Sequence, residues 1–312
     1  MKAARIHQFG PPNVIQIDEI PRPTPGAGEV LVRVANAGVG PWDALIREQK
    51  SVVRVALPIT LGSDLAGIVE AIGPDVTAFA PGDRVYGVTN PDFVGACAEF
   101  ALAQADRIAH MPEALTFAEA ASAPVVAVTA WQMLFDYAQA TPGQTVLIHG
   151  AAGNVGAYAV QLAAQAGLQV FDTSSLHDME YVRQLGAGTA IDYRKQRFED
   201  MVPKIDIVLD TVGGETRERS INVVKTGGIL VSALRWSDAQ AGVDAGVRTV
   251  FFLVDVTTGR LQALTELFNT RRLRPRVGEV LPLFDVRTAH EMLAGAPHKP
   301  GKIVLHVADL TR

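Results

Sequence analysis

Residues 145–156 read TVLIHGAAGNVG, and this stretch decides the fold. Thr145 to Ile148 is a short apolar run, rich in β-branched residues, of the kind that forms a buried parallel strand. It runs into a turn of small residues, Gly150-Ala151-Ala152-Gly153-Asn154-Val155-Gly156. A helical pattern fills Ala157 to Ala166, and a second strand-like run follows at Leu168 to Phe171. Strand, glycine turn, helix, strand is the order that sets a pyrophosphate on a helix N-terminus. Gly153 would let phosphates approach the backbone, and Gly156 would let the helix pack on the strand. Ala151 stands where the usual fingerprint has its first glycine. An ordinary strand-to-helix turn is the plain alternative. The strand before the turn and the helix after it favour a dinucleotide.

Downstream, strands and helices continue to alternate, as a doubly wound parallel sheet requires. Ile205 to Leu209 leads into Asp210-Thr211-Val212-Gly213-Gly214, and Gly228 to Ser232 leads into Ala233-Leu234. Thr249 to Val254 is a further strand. Ligands of such sheets sit outside the carboxyl ends of the strands, which nominates Val212, Gly213, Ala233 and Leu234 as cofactor-cleft residues. Phe251 and Phe252 are candidates for the cleft wall or for a subunit edge. Upstream the pattern differs. Val30 to Ala35, Gly67 to Ile72, Arg84 to Gly87 and Ala98 to Ala103 are short strand-like runs punctuated by Gly and Pro, as in a β-rich, barrel-like domain. The pattern turns helical from about Thr116. The tail has helices near Arg260 to Thr270 and Val286 to Leu293 and a strand at Lys302 to Val307, and is expected to return to the β-rich domain.

The chain's bulk properties narrow the function. It has 312 residues, 48% hydrophobic and 20% charged, a globular composition with material for two cores. The net charge of -5 gives no nucleic-acid footprint; Arg271-Arg272-Leu273-Arg274 reads as a solvated helix end. A single cysteine, Cys97, rules out an internal disulfide and fits a reducing cytoplasm. The N-terminus lacks the apolar core of a secretory signal. The longest weakly polar run, Ala118 to Phe135, is interrupted by Glu119, Ser122, Pro124, Thr129 and Gln132, so a buried helix pair is expected rather than a membrane span.

Several further motifs stand in order along nearly the whole chain: AGVGPWDALIR (Ala37 to Arg47), LGSDLAGIVEAIG (Leu61 to Gly73), PGDRVYG (Pro81 to Gly87), AEF (Ala98 to Phe100), TAWQML (Thr129 to Leu134) and GKIVL (Gly301 to Leu305). With GAAGNVG they give a chain that resembles the medium-chain dehydrogenase/reductase superfamily, and within it the zinc-free quinone oxidoreductase branch related to zeta-crystallin. The resemblance implies an α/β protein: a Rossmann doubly wound parallel sheet plus a GroES-like β-barrel catalytic domain split around it. The expected division is 1–121, 122–259 and 260–312, the last part returning to the catalytic domain. In the zinc-dependent relatives a Cys, a His with its Glu, and a second Cys or His surround the metal. The matching positions here are Gly40, Ser63 with Asp64, and Val125, and the four-cysteine structural loop is missing; no metal site is expected. Without a Lewis acid, hydride transfer to an already electrophilic acceptor remains accessible: a quinone or an α,β-unsaturated carbonyl.

The resemblance also implies where the chemistry sits. The segment Gly40-Pro41-Trp42-Asp43-Ala44-Leu45 would face the nicotinamide. Relatives often carry Asn at the position of Gly40 and Tyr at that of Leu45; both polar groups are absent, which implies a more apolar pocket. Trp42 is a candidate to stack on a flat acceptor, with core packing as the alternative. Asp43 is either a general acid or a hydrogen-bonding residue of its own loop. Thr129 is a candidate contact to the nicotinamide or its ribose. His149 ends a buried strand and is expected to be packed or cofactor-adjacent. For the cofactor, Asp172 lies near the spacing at which an acid holds the ribose of NAD. The resemblance puts the discriminating position one residue later, at Thr173, and neighbouring strand residues face opposite ways. Ser174, Ser175 and Tyr193 match residues that contact the 2′-phosphate of NADPH. Met179 replaces the usual basic residue; Arg194 is a candidate substitute, with an ordinary exposed arginine as the alternative. NADPH is therefore expected.

These expectations give a cytoplasmic, zinc-independent NADPH-dependent reductase of small electrophiles, quinones or enones, with no nucleic-acid or membrane partner. The alternatives are a strict enoyl or alkenal reductase and a non-catalytic NADPH-binding sensor or structural protein. The apolar, β-prone run TVFFLV (Thr249 to Val254) suggests a homodimer joined through sheet edges.

Overall fold

In the computed structural model, which describes residues 1–235, 242 and 244–310, the chain forms two compact units. One is Met1–Val125 with Val256–Arg312, and the other is Val126–Asp255. The tail thus returns to the first unit. The divisions fall a few residues inside the expected middle segment at both ends. The first has a physical reason: the backbone N–H of Val125 is tied to Asp64, so the segment after 121 stays with the β-rich unit.

The first unit is built on strands β1 (Lys2–Ile6), β2 (Ile15–Glu19), β3 (Glu29–Val39), β4 (Ile59–Thr60), β5 (Asp64–Ile72), β6 (Arg84–Val88), β7 (Phe100–Gln104) and β8 (Ile108–His110). Helices α1 (Pro41–Arg47), α2 (Phe117–Ala121) and α3 (Pro124–Trp131) interrupt and follow them, α3 running on into the second unit. Val30, Val32 and Val34 of β3 point into a core with Leu65, Val69, Val85 and Ile108, all essentially fully buried. Leu31 is buried too, so β3 is packed on both faces along most of its length, with Arg33 the exposed exception. Gly67 of β5 permits close pairing of β5 with β3, because a Cβ there would meet Val32 Cγ1 at 2.8 Å and collide with the Arg33 carbonyl.

The second unit contains β9 (Thr145–His149), β10 (Gln169–Ser174), β11 (Thr189–Asp192), β12 (Ile205–Asp210), β13 (Val224–Ser232) and β14 (Arg248–Phe251). Its helices include α4 (Asn154–Gln165), α5 (Met179–Gln184) and α6 (Gly214–Ser220). Every pairing is parallel, and the order is β11-β10-β9-β12-β13-β14. Numbered from β9 this is 3-2-1-4-5-6, the Rossmann order, with its switch point between β9 and β12. Val146, Leu147 and Ile148 are wholly buried, as a central strand covered on both faces requires. Burying each such side chain contributes roughly 1.5–3 kcal/mol. β14 is an edge strand of this sheet.

After Val256 the chain adds α7 (Thr258–Asn269), β15 (Val277–Pro282), α8 (Val286–Leu293) and β16 (Lys302–His306) to the first unit. β16 pairs antiparallel with β3, from Ile303 opposite Val39 to His306 opposite Asn36. α7 is fastened by Tyr86, whose hydroxyl donates to the Leu261 carbonyl at 2.8 Å. The run Ala118 to Phe135 falls in α2, α3 and the helical turns after them. Among the described residues, no helix is long and apolar enough to cross a membrane.

Candidate active site

In the second unit, functional candidates gather at the carboxyl end of the parallel sheet. His149 closes β9, and Gly150 turns the chain with φ 70°, a conformation that favours glycine. The N–H of Gly153 donates to the Gly150 carbonyl at 2.9 Å, which tightens the turn. Gly153 then caps α4 in extended geometry (φ -73°, ψ 170°) with no side chain satisfying the first-turn N–H groups. Those donors and the helix dipole are what an anion needs. Ala151 is buried, whereas Gly153 is exposed and Ala152, Asn154 and Val155 are partly so. A Cβ on Gly153 would find only the Gly150 carbonyl, at 3.1 Å. A Cβ on Gly156 would collide with that same carbonyl and lie 2.8 Å from Ala151 Cα. The first glycine leaves a concave approach open; the second lets α4 sit against the turn. The residues fit a pyrophosphate.

The neighbouring strand ends are organised by a residue that the sequence reading passed over. Asp210, fully buried at the end of β12, accepts from the N–H groups of Val212 and Gly213 at 2.9 and 2.8 Å through Oδ1. Its Oδ2 accepts from Ser232 at 2.7 Å, which couples the ends of β12 and β13. Thr211 donates to the His149 carbonyl at 2.7 Å, closing the switch point. The sequence held a signal: an Asp two and three residues before the N–H groups of a Val-Gly turn is an Asx-turn pattern. Held this way, Val212 is 51% and Leu234 41% exposed, two large apolar side chains in water at the strand ends. Ala233 is half-buried and Gly213 buried, its missing Cβ leaving room for Leu234. Phe251 is exposed on β14, whereas Phe252 is buried against Tyr137, ring centroids 4.5 Å apart. Thr129 is buried in α3. His149 is packed: Nε2 lies 2.8 Å from Ser220 Oγ and Nδ1 3.0 Å from Thr173 Oγ1. Burial pushes its pKa down to about 4, so the ring is neutral.

At the end of β10, Asp172 is fully buried, with the Ser174 hydroxyl as the polar group beside its carboxylate. Burial raises its pKa to about 6. Ser174 is buried, while Ser175 donates to Asp178 at 2.7 Å. Tyr193 is 56% exposed, and the Arg194 guanidinium Nε lies 3.3 Å from its hydroxyl. Tyr193 and Arg194 therefore form an exposed polar pair beside β10, to which the Tyr193 N–H is bonded through the Ser174 carbonyl.

In the first unit, a second cluster lies where α1 leaves β3. Gly40 precedes α1, and its N–H donates to Asp43 Oδ2 at 2.7 Å. This is the loop hydrogen bond expected of Asp43. Asp43 is 1% exposed, and burial raises its carboxyl to about 7, against the opposing pull of the Gly40 N–H and of Lys302. Leu45 is 45% exposed. Trp42 is half-buried, and its indole N–H donates to Ser63 Oγ at 3.0 Å. A Cβ on Gly40 would collide with Cη2, Cζ3 and Cζ2 of Trp42, so glycine is required there by the indole. Asp64 is wholly buried: Oδ1 accepts from the Val125 N–H at 3.1 Å and Oδ2 from Lys302 Nζ at 3.0 Å. Lys302 Nζ also sits 4.0 Å from the centroid of the Trp42 ring. Gly40 and Val125 carry no ligating atom, and Ser63 Oγ is engaged by Trp42. This donor set does not fit a zinc ion. Among the described residues, no three His, Cys, Asp or Glu side chains are grouped to hold a metal.

The comparisons with known proteins agree with this geometry. Residues 26–134 match the family "Alcohol dehydrogenase GroES-like domain", and residues 185–305 match "Zinc-binding dehydrogenase". The quinone oxidoreductase of Homo sapiens is 31% identical over 98% of this chain and 97% of its own. The 2-methylene-furan-3-one reductase of Solanum lycopersicum is 34% identical over 98% of this chain and 79% of its own. The crystal structure of Escherichia coli quinone oxidoreductase complexed with NADPH superposes with TM-score 0.88, 26% identity, and coverage of 98% and 100% of the two chains. The chain belongs to the zinc-free quinone oxidoreductase family of medium-chain dehydrogenases/reductases, and it is an oxidoreductase.

Proposed function

We propose that this chain is an NADPH-dependent, metal-independent reductase of quinones and other activated, α,β-unsaturated carbonyl acceptors. The observation that carries the proposal is the replacement of a metal-ligand set by Gly40, Ser63 and Val125, with Ser63 engaged by Trp42, beside a half-exposed aromatic ring. A site of this make-up has no Lewis acid for an alcohol, but it suits an acceptor that is already electrophilic. Bound NADPH supplies the hydride. The chain's own residues bind and orient. Gly150, Ala151, Ala152, Gly153, Asn154 and Val155 hold the pyrophosphate. Val212, Gly213, Ala233, Leu234 and the Phe251–Phe252 pair line the cofactor cleft. Tyr193, with Arg194 and the partly exposed Ser175, receives the 2′-phosphate, and buried Ser174 supports the strand end beneath them. Thr129 contacts the nicotinamide or its ribose, and Gly40, Trp42, Asp43 and Leu45 form the acceptor pocket. Hydrogen bonds to a charged group contribute about 1.5–3 kcal/mol each, so the Tyr193–Arg194 pair alone gives NADPH a clear margin over NADH.

The names of two relatives, one a quinone and one an alkene reductase, support both acceptor types. The two-fold pairing of β14 edges makes the protein a homodimer, and its lone buried thiol suits a reducing cytoplasm. Mixing purified protein with NADPH and either an ortho-quinone or a small enone, and following cofactor absorbance, tests the function. Turnover of either acceptor is expected; tight NADPH binding with neither acceptor reduced would leave a cofactor-binding protein without this catalysis.

A further inference from the structure

Trp42, Lys302 and Asp64 form a linked device that does more than tie Val125 to the β-rich unit. An ammonium 2% exposed and a carboxylate wholly buried are costly to desolvate. A pair of apolar side chains would fill the same volume and stabilise the core as well or better. Here the pair is instead placed against one aromatic ring that is itself half-exposed. The chain of contacts runs from the Val125 N–H to Asp64 Oδ1, from Asp64 Oδ2 to Lys302 Nζ, and from Nζ to the Trp42 ring. Ser63, the residue beside Asp64, holds the indole N–H. Gly40 leaves the space that the six-membered ring enters. Four segments, α1, β5, the start of α3 and β16, thus converge on the orientation of one indole. Ser63 alone would leave the ring free to pivot about its N–H; the cation fixes its plane. Cation–π attraction is strongest when the cation is desolvated, as Lys302 is.

We propose that Lys302, held by Asp64, is a positioning residue that fixes the Trp42 indole as the platform for a planar aromatic acceptor, and so sets a preference for fused-ring quinones over small non-aromatic enones. This rests on the acceptor-reductase function proposed above, with Trp42 in the acceptor pocket. Trp42 is the contact; Lys302 and Asp64 act through it.

The test compares the wild type with Trp42→Leu, Lys302→Arg and the double variant Lys302→Met/Asp64→Asn, which leaves no unpaired buried charge. Far-ultraviolet circular dichroism and a wild-type-like thermal melt show that each variant is folded. The readout is the ratio of kcat/KM for a fused-ring ortho-quinone to that for a small enone, with KM and kcat resolved. Trp42→Leu and the double variant should each lower the ratio about ten-fold, mainly through KM for the quinone, which is the size of one aromatic stacking contact. Lys302→Arg, which keeps the cation, should retain most of it. A ratio unchanged within two-fold in folded Trp42→Leu or in the folded double variant would overturn the proposal. Quenching of tryptophan emission by the quinone, without NADPH, separates this proposal from the proposed function. If wild type reduces neither acceptor, yet quenching is present and is lost in Trp42→Leu, the platform stands and the reductase function falls. If wild type shows no quenching that depends on Trp42, the platform falls whatever the turnover.

Discussion

The glycine turn after β9 and the aromatic cluster at the start of α1 are made of opposite materials. The turn is backbone: Gly150, Gly153 and Gly156 act through the side chains they lack, and its parts are a few residues apart in sequence. The cluster is side chain: Trp42, Ser63, Asp64 and Lys302 meet through packing, and Asp64 and Lys302 are 238 residues apart. A site made of backbone depends on local conformation and tolerates little substitution within it. A site made of distant side chains keeps its frame while its chemistry is rewritten, as the Gly40, Ser63 and Val125 positions illustrate.

The largest expected effect separates two glycines within the turn. Gly156→Val should prevent stable folding of the second unit, because its Cβ meets the Gly150 carbonyl and Ala151 Cα. Gly153→Val should fold with a melting temperature close to wild type but lose NADPH binding, since its backbone is ordinary and only the Gly150 carbonyl is near. Fluorescence titration beside thermal melting checks both. Unchanged NADPH affinity in Gly153→Val would put the phosphates elsewhere.

The next effect lies in the side-chain cluster and is read as stability against pH. The Asp43 carboxyl is raised to about 7 in the folded protein. In the unfolded chain it titrates near about 3.9. Between those values the folded protein holds a proton that the unfolded chain has released, so stability falls as pH rises from about 4 to about 7 and then levels off. The loss is on the order of a few kcal/mol. Asp172, raised to about 6 by burial, adds a slope of the same sign. Asp43→Asn should therefore flatten part of the decline in denaturant midpoints across this window. An unchanged slope would mean that Asp43 is ionised throughout.

A smaller change is expected at the edge of β10. Tyr193→Phe with Arg194→Ala should raise KM for NADPH about ten-fold or somewhat more and leave KM for NADH nearly unchanged, in keeping with the loss of one or two charge-assisted hydrogen bonds. A wild-type kcat/KM higher with NADH than with NADPH would reverse the cofactor assignment. No effect at all is expected from prolonged chelation, with elemental analysis finding less than stoichiometric zinc. One tightly held zinc per chain would break the comparison between the two clusters at its metal-free end.

Much of this was legible before the structure, for reasons that differ between the clusters. The turn could be read because its strand, glycines and helix are contiguous and each leaves a local signature. The parallel order followed from alternating strands and helices. Trp42, Asp43 and Gly40 were visible as residues, but their relation was not. Nothing in the sequence says that Gly40 is glycine because the Trp42 ring occupies its Cβ position. Lys302 opens the apolar strand KIVLH, where a lysine reads as a solvent-facing strand end; its burial follows from pairing with Asp64, which no periodicity encodes. Asp172 had the right spacing for a ribose contact, but its complete burial in β10 was not legible in the sequence.

Cys97, the single cysteine of the chain, is 1% exposed within the same unit as Asp43 and Asp64. Burial, then the two carboxylates, push its thiol well above the ordinary range. Quinones and enones are electrophiles, and it is a thiolate, not a thiol, that adds to them. A catalyst working on such compounds runs the hazard of being consumed by what it is meant to detoxify or transform. Keeping its one sulfhydryl protonated and out of reach would make this chain chemically durable toward the acceptors proposed for it.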